Sequence, residues 1–337
     1  MNKKVYICCP GDSITGGPEL LHQFCDALCS NGVDASMVYY PLDASFQLPQ
    51  QYSHYDARVT QFKDVVCDNA IVIIPEVATT LAKKFDAAQI CIWWLSVDNY
   101  FSRKKYSWFI RRYVGHFKSV LTGDRLSISS MKNYQHLSQS EYARIFLESR
   151  GIQCDMLTDY LNETHLKSVD ESVNRENIIA YNPKKGEKYS NKLIGRYPNY
   201  KFIPIKNMTA IEVRKLLERS KVYIDFGDHP GKDRFPREAV MAGCCVVTGR
   251  RGSAANKVDV PVPSCYKLDE SAESFEQDFQ KIIEDIFQDY EKCYADFESY
   301  KDKISAEFDV FKQQVELFSV KYCKTGSELD IHSLPIN

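Results

Sequence analysis

Residues 222–253 read VYIDFGDHPGKDRFPREAVMAGCCVVTGRRGS, an order of residue types that leaves few folds open. Val222–Phe226 is a short β-branched and aromatic run, the composition of a core strand. Gly227–Arg234 gathers Asp228, His229, Lys232, Asp233 and Arg234 in a loop broken by Pro230 and Gly231. Pro236 predicts a helix start, where its missing N–H costs nothing. Glu238–Ala242 continues that helix, Gly243 stops it, and Cys244–Thr248 reads as a second buried strand. Such a strand–loop–helix–strand unit belongs to an open α/β sheet, whose ligands sit beyond the carboxyl ends of the strands. Cations beside the free N–H groups of a helix start suit phosphate. The segment therefore predicts a site for an anionic ligand, with a nucleotide as the first candidate.

The amino terminus has the same kind of pattern. Lys3–Cys9 is a strand, and Pro10–Pro18 is a loop holding three glycines. Glu19–Asn31 has helical spacing, with Leu20, Leu21, Phe24 and Leu28 on one side, Gly32 as its stop and Val33–Tyr40 as the next strand. The G-x-G-x-x-G spacing of an ordinary dinucleotide site is absent.

A chain of 337 residues exceeds one typical core and predicts two domains. In the first half, Ala70–Pro75 and Ile90–Leu95 read as strands with a helix over Glu76–Phe85 between them. Ser119–Leu121 reads as a short strand, Ser138–Arg150 as a helix and Cys154–Leu157 as a last strand. Polar Asn162–Glu176 is the expected linker. Asn177–Tyr181 then runs into the loop NPKKG at 182–186, Tyr200–Pro204 is a strand, and Thr209-x-x-Glu212 is a capping-box signature. Beyond Pro263 the apolar residues keep helical spacing through Tyr322. Repeated β–α alternation predicts parallel sheets. The expected division is 1–165, 176–303 and a terminal helix, 304–325.

Net charge of −2 predicts no nucleic-acid binding by bulk electrostatics. No run of about 18 apolar residues suggests a membrane span, and MNKKVYICC reads as a strand rather than a signal peptide. The twelve cysteines are scattered without a CxxC pair, against zinc or redox motifs. Those inside strands act as small apolar residues. The expected setting is the cytoplasm.

The quoted segments resemble the retaining, nucleotide-sugar-dependent GT-B glycosyltransferases. Glu238 with Ala239, Ala242 and Gly243 matches the family's Glu-containing helix, Val246–Thr248 and Gly252–Ser253 match its strand and turn, and Gly16, Gly17, Pro18 and Glu19 match its amino-terminal Gly-Gly-x-Glu turn. The resemblance implies two Rossmann-like domains about a cleft, with a C-terminal helical tail whose last helix, 304–325, crosses back to the first domain. The second domain would bind a nucleotide-sugar donor, and the sugar would pass to a hydroxyl of a glycan or lipid-linked acceptor held by the first. Glu238 would grip the ribose, and the Gly252–Ser253 amides would approach the diphosphate. Lys184 or Lys185, with Lys232, Arg234 or Arg237, would supply cations for a leaving diphosphate. With no Asp-x-Asp in the chain, neither metal nor cofactor is expected. The sequence departs from the family at Pro230, where the first acid of a Glu pair belongs, at Pro236, one residue nearer Glu238 than usual, and at Asn256, which replaces a further Glu. Those departures keep two rivals open: a non-catalytic nucleotide- or sugar-phosphate-binding protein, and an epimerase or hydrolase on the same fold.

Asp228 and His229 are the candidates for catalysis or sugar contact. Asp98 and Asn99, at the end of CIWWLSVDNYF, are the acceptor-side candidates, while Trp93 and Trp94 read as core. Residues 99–123 hold six Lys/Arg, seven aromatics and no acid. The plainer reading is an amphipathic helix with solvated cations; the functional one is contact with an anionic membrane surface, at its inner face, or with a lipid-diphosphate-linked acceptor. Bacterial surface polysaccharide synthesis is the expected pathway, because such enzymes abound there.

Overall fold

The computed structural model describes residues 3–101, 120, 123–167, 169 and 173–324. The chain forms two compact units: Met1–Gln139 with Ala143–Asp159 and Asp309–Asn337, and Ser140–Tyr142 with Tyr160–Phe308.

The first unit holds six parallel strands: β1 (Lys4–Pro10), β2 (Ala35–Tyr40), β3 (Ala70–Pro75), β4 (Gln89–Trp94), β5 (Gln135–Ser138) and β6 (Asp155–Met156), in the order β2-β1-β3-β4-β5-β6. Continuous apolar runs suit strands covered on both faces, and Val5–Cys9 and Ile71–Ile74 are buried throughout. Helix α1 (Gly16–Ser30) joins β1 to β2, and the chain then returns past β1 to β3. Loops leaving β1 and β3 thus diverge and leave a crevice beyond their carboxyl ends. Helix α2 (Val97–Phe101) follows β4.

Several expectations need correction. Helix α1 starts at Gly16, not Glu19. Glu76–Lys84 is a 3-10 helix with a kink at Ala78, not an α-helix. Ser138 closes strand β5, and helix α3 begins only at Glu141 (Glu141–Glu148). The polar run QHLS hides β5, because His136 is satisfied inside the core: Trp94 Nε1 donates to its Nδ1 at 3.0 Å, and its Nε2 lies 2.9 Å from the Met131 carbonyl. Most of the strand expected at Ser119–Leu121, and 102–119 and 121–122 of the basic aromatic segment, lie outside the described residues. Trp93 and Trp94 are core, as expected.

The second unit holds β7 (Glu176–Tyr181), β8 (Lys201–Pro204), β9 (Ser220–Asp225) and β10 (Cys245–Thr248), all parallel, in the order β10-β9-β7-β8. Here the order reverses between β7 and β9. The helices of this unit are α4 (Glu163–Leu166), α5 (Glu187–Arg196), α6 (Ala210–Arg219), α7 (Arg234–Met241), α8 (Phe275–Gln288) and α9 (Tyr290–Ala295). The capping box of α6 forms as expected, with Thr209 Oγ1 accepting the Glu212 amide at 3.3 Å and Glu212 Oε2 accepting the Thr209 amide at 2.7 Å. Helix α7 starts two residues before Pro236, which still lies in the first turn, where its missing N–H is harmless. Helix α8 buries Phe275, Phe279, Ile282, Ile283 and Ile286 along one face.

The last helix, α10 (Glu298–Phe318), ends the second unit, and its residues from Asp309 belong to the first. There Gln314 Oε1 accepts the Thr158 amide at 2.7 Å, Phe318 packs edge-on to Phe24, and the Lys3 amide donates to the Cys323 carbonyl. The twelve cysteines are all free thiols. Among the described residues no helix is long and apolar enough to cross a membrane.

Candidate functional site

The loops after β7 and β9 flank the switch point of the second sheet, the position where an open α/β sheet takes its ligand. After β7, Asn182 folds the NPKKG loop back: its Oδ1 accepts the Lys184 amide and its carbonyl the Lys185 amide, both at 3.0 Å. Gly186 then turns at φ 61°, and a Cβ there would stand 2.4 Å from the Phe226 carbonyl oxygen. This close approach brings Lys185 over the loop that follows β9.

Lys185 Nζ lies 2.6 Å from Asp233 Oδ2. Asp233 also faces His229 Nδ1 at 2.9 Å, and His229 Nε2 lies 3.4 Å from Asp225 Oδ1. His229 is wholly buried, in the left-handed region at φ 44°. Burial alone would lower its pKa, but Asp225 and Asp233 outweigh that and raise it. For Asp233, burial works toward a higher pKa, yet His229 and Lys185 hold the carboxyl well below its usual range. Lys185 is likewise raised: burial opposes its charge, and Asp233 and Asp225 prevail. Asp225, His229 and Asp233 offer ligand atoms within 4.8 Å of one another, near enough for one metal ion. Lys185 already supplies positive charge there.

Helix α7 leads away from this cluster. Glu238 is 8 % exposed, with His165 Nε2 at 3.5 Å and Arg234 Nε at 3.6 Å from its Oε1. Arg237 turns inward instead: it has no exposed surface, and its Nη1 lies 2.6 Å from Glu307 Oε2. Lys232 Nζ lies 2.8 Å from Glu307 Oε1. Two of the five candidate cations are thus engaged by one buried carboxylate. Lys184 is exposed.

The Gly252–Ser253 turn closes over the β9 loop. Gly252 adopts φ 55°, and a Cβ there would stand 2.0 Å from the His229 carbonyl oxygen. Ser253 donates its amide to that same carbonyl at 2.9 Å and its hydroxyl to the Gly231 carbonyl at 2.6 Å. The Ser253 amide, expected to approach a diphosphate, here donates its hydrogen within the protein and holds the loop. Asp228, exposed, pairs with Arg251 Nη1 at 2.8 Å, and Arg251 Nε reaches Glu270 at 3.2 Å. Asp228 and His229 are neighbours in sequence with separate surroundings, and they form no dyad.

In the first unit, the Gly16–Gly17 turn opens α1 beyond the carboxyl end of β1. Tyr52 donates to the Thr15 carbonyl at 3.2 Å and Tyr55 to Glu19 Oε1 at 3.4 Å, so Glu19 is held at the start of the helix. Asp98 and Asn99 sit on α2, with Asn99 exposed.

Sequence reading missed Asp225, Asp233, His165, Glu307 and Arg251 as partners at this edge. The first two had a signal, since Asp225, His229 and Asp233 recur at four-residue steps. The others come from distant segments and had none.

No protein-family model matches the chain, and no curated protein matches it in sequence. Solved structures do match in shape. HepE from Anabaena, in complex with UDP-glucose, superposes with a TM-score of 0.62 at 12% identity, covering 94% of this chain and 99% of that one. Sucrose-phosphate synthase from Thermosynechococcus elongatus gives 0.63 at 11% identity over 95% and 98% of the two chains. The catalytic domain of starch synthase IV from Arabidopsis thaliana, bound to ADP and acarbose, gives 0.52 at 11% identity over 94% and 99%. With two parallel α/β sheets in one chain and a likeness running over nearly its whole length, the chain has the GT-B fold.

Proposed function

We propose that the protein is a glycosyltransferase that takes a sugar from a nucleotide donor, a UDP-sugar first among the candidates, and passes it to a hydroxyl of a glycan or glycolipid acceptor. The observation that carries this reading is the convergence of Lys185, Arg234 and Glu238 at the switch point of the second sheet, roofed by the Gly252 turn. Glu238, one turn into α7, suits a ribose diol, which a carboxylate accepts bidentately. Lys185 and Arg234 lie on the loop and helix start where a departing diphosphate gains charge, and fixed cations there lower the barrier. HepE bound to UDP-glucose supports a UDP-sugar donor by likeness of fold. Transfer without a metal, retention of configuration and a role in surface polysaccharide synthesis belong to the same proposal. So do a donor-binding domain at 176–303, an acceptor domain at 1–165 and a cytoplasmic setting.

A second reading has its own support. Pro230 stands where the family carries an acid, and Lys232 and Arg237 are bound to Glu307. Both favour a protein that binds a nucleotide without turning it over. Thermal shift against UDP, GDP, CMP, dTDP and ADP, with and without EDTA, tests donor binding, since a ligand of the folded state raises its melting temperature. One nucleotide giving an EDTA-insensitive shift, with release of UDP from UDP-glucose, supports the transferase. A shift without turnover supports the binding protein, and no shift removes both.

A further inference from the structure

The carboxyl edge of the first sheet carries two unexplained polar side chains, on neighbouring strands. Strand β5 runs beside β4, with Ser138 paired to Trp94, and the Gln139 amide extends the ladder by donating to the Trp94 carbonyl at 3.1 Å. Leu95 and Ser96 continue from β4 on the adjacent track. Gln139 is 7% exposed and Ser96 8%. Nevertheless the Gln139 Oε1 and the Ser96 Oγ are buried atoms without a hydrogen-bond partner among the described residues. Buried polar groups are nearly always paired, and each exception calls for a partner, whether water or ligand.

The surroundings hold this pair in place. Glu76, buried at the end of β3, accepts the Leu95 amide on its Oε2 at 3.0 Å, so the turn bearing Ser96 is clamped from the neighbouring strand. Gly17 packs against the same turn: a Cβ there would touch Leu95 Cδ1 at 3.8 Å. The glycine turn after β1, Glu76 after β3, Ser96 after β4 and Gln139 after β5 therefore share one edge, the edge where open sheets take ligands.

We infer that Ser96 and Gln139 form a subsite for the hydroxyl groups of a neutral saccharide, with Glu76 as its positioning residue. Gln139 Oε1 accepts a hydrogen bond and Ser96 Oγ can accept or donate one. Neither carries charge, which selects hydroxyls over phosphate or carboxylate. The inference rests on the glycosyl-transfer reading, and the saccharide can come from the donor's sugar or from a free acceptor.

The test compares wild type, Ser96→Ala and Gln139→Leu in three measurements. UDP affinity reports the donor site alone. The gain in affinity of UDP-glucose over UDP reports the donor sugar. Saturation-transfer NMR with glucose, galactose, mannose and maltose, at saturating UDP, reports a free saccharide. We expect UDP affinity unchanged in both variants and at least a tenfold loss in one of the two saccharide measurements, which then names the source. Gln139→Leu should also melt no lower than wild type, since it removes an atom that is unpaired without ligand. Should it fail to fold, Ser96→Ala carries the comparison. Saccharide binding untouched by either substitution overturns the inference, as does wild-type protein that recognises neither form of sugar. A lower melting temperature for Gln139→Leu also overturns it, because the Oε1 would then be bonded to protein or to a structural water. Loss of UDP binding in the wild type would instead remove the donor reading, with the free-saccharide measurement still deciding the fate of the subsite.

Discussion

Arg237 Nη1 lies 2.6 Å from Glu307 Oε2 with no part of the arginine exposed, and Lys232 Nζ lies 2.8 Å from the other oxygen of the same carboxylate. One acid near the middle of α10 thus holds two cations of the β9 loop and α7. Buried charges repay their desolvation only while paired, so removing the shared acid takes a carboxylate partner from both cations. Glu307→Gln is expected to lower the unfolding free energy in urea by about 3–5 kcal/mol. A change under about 1 kcal/mol, the range of an exposed pair, would show that these charges are solvated rather than buried.

The Gly252 turn is equally sensitive for a steric reason. At φ 55° an added Cβ would sit 2.0 Å from one carbonyl oxygen and 2.3 Å from another, both on the backbone of Asp228 and His229. Backbone cannot swing aside as a side chain does. We expect Gly252→Ala to cost about 2 kcal/mol or more, combining the left-handed penalty with displacement of the loop. Nucleotide affinity should fall with it, because the displaced loop carries Asp233, the partner of Lys185. Gly195→Ala, where no atom lies within 4 Å of the added carbon, is the control and should be neutral or slightly stabilising.

Much of this arrangement is legible in the chain because it is local. The β–α alternation, the Thr209–Glu212 box and the Gly243 stop each depend on residues within one turn or strand. What stays hidden depends on distance. Arg237 and Lys232 read as ligand cations until Glu307, 70 residues beyond Arg237, is seen to claim them. Strand β5 escapes notice because His136 is polar in sequence and satisfied only by Trp94 and Met131 in space. The Ser253 amide reads as a phosphate donor until the His229 carbonyl is found opposite it.

The His229–Asp233 pair sets a pH window. A histidine whose folded pKa is raised contributes stability fully below its unfolded value, near 6.5, and loses it as pH rises through the folded value. Asp233, depressed by the same partner, contributes above its unfolded value of 3.8 and loses it as pH falls. In a Glu76→Gln background, which lacks the separate slope of that buried acid, melting temperature should therefore plateau from about pH 4 to 6.5 and decline on both sides. His229→Gln should flatten the alkaline limb and lower the plateau. An alkaline limb of unchanged slope in that variant would assign the titration to another group.

Glu76 titrates against the same background with its own signature. Burial pushes its carboxyl up to about 8 from 4.5, against the amides of Leu95 and Ser96. An acid raised in the folded state contributes stability fully below its unfolded value and loses it as pH climbs toward 8. The slope is roughly 1.4 kcal/mol per pH unit for one proton. Glu76→Gln, neutral at every pH and of similar shape, should remove that slope and be the more stable protein above pH 8. The measurement is urea unfolding at pH 5, 7 and 9. Parallel curves for wild type and variant would mean the carboxyl ionises at its ordinary value.

Glu238 offers the most direct probe of the donor site. Its carboxylate stands 3.5 Å from His165 and 3.6 Å from Arg234 and is 8% exposed, so one face is braced by the Arg234 guanidinium and the His165 imidazole and the remaining acceptor capacity suits a ribose diol. Glu238→Gln keeps the size of the side chain and removes the charge. Losing a charge-assisted hydrogen bond weakens binding by about 1.5–3 kcal/mol, roughly ten- to a hundredfold. That loss should appear for UDP and UDP-glucose alike and should vanish for 2′,3′-dideoxyuridine diphosphate, which has no diol to grip. Equal weakening for the dideoxy compound would place the effect on the Arg234 and His165 braces rather than on the ribose. Unchanged affinity in a folded variant would remove Glu238 from the donor site.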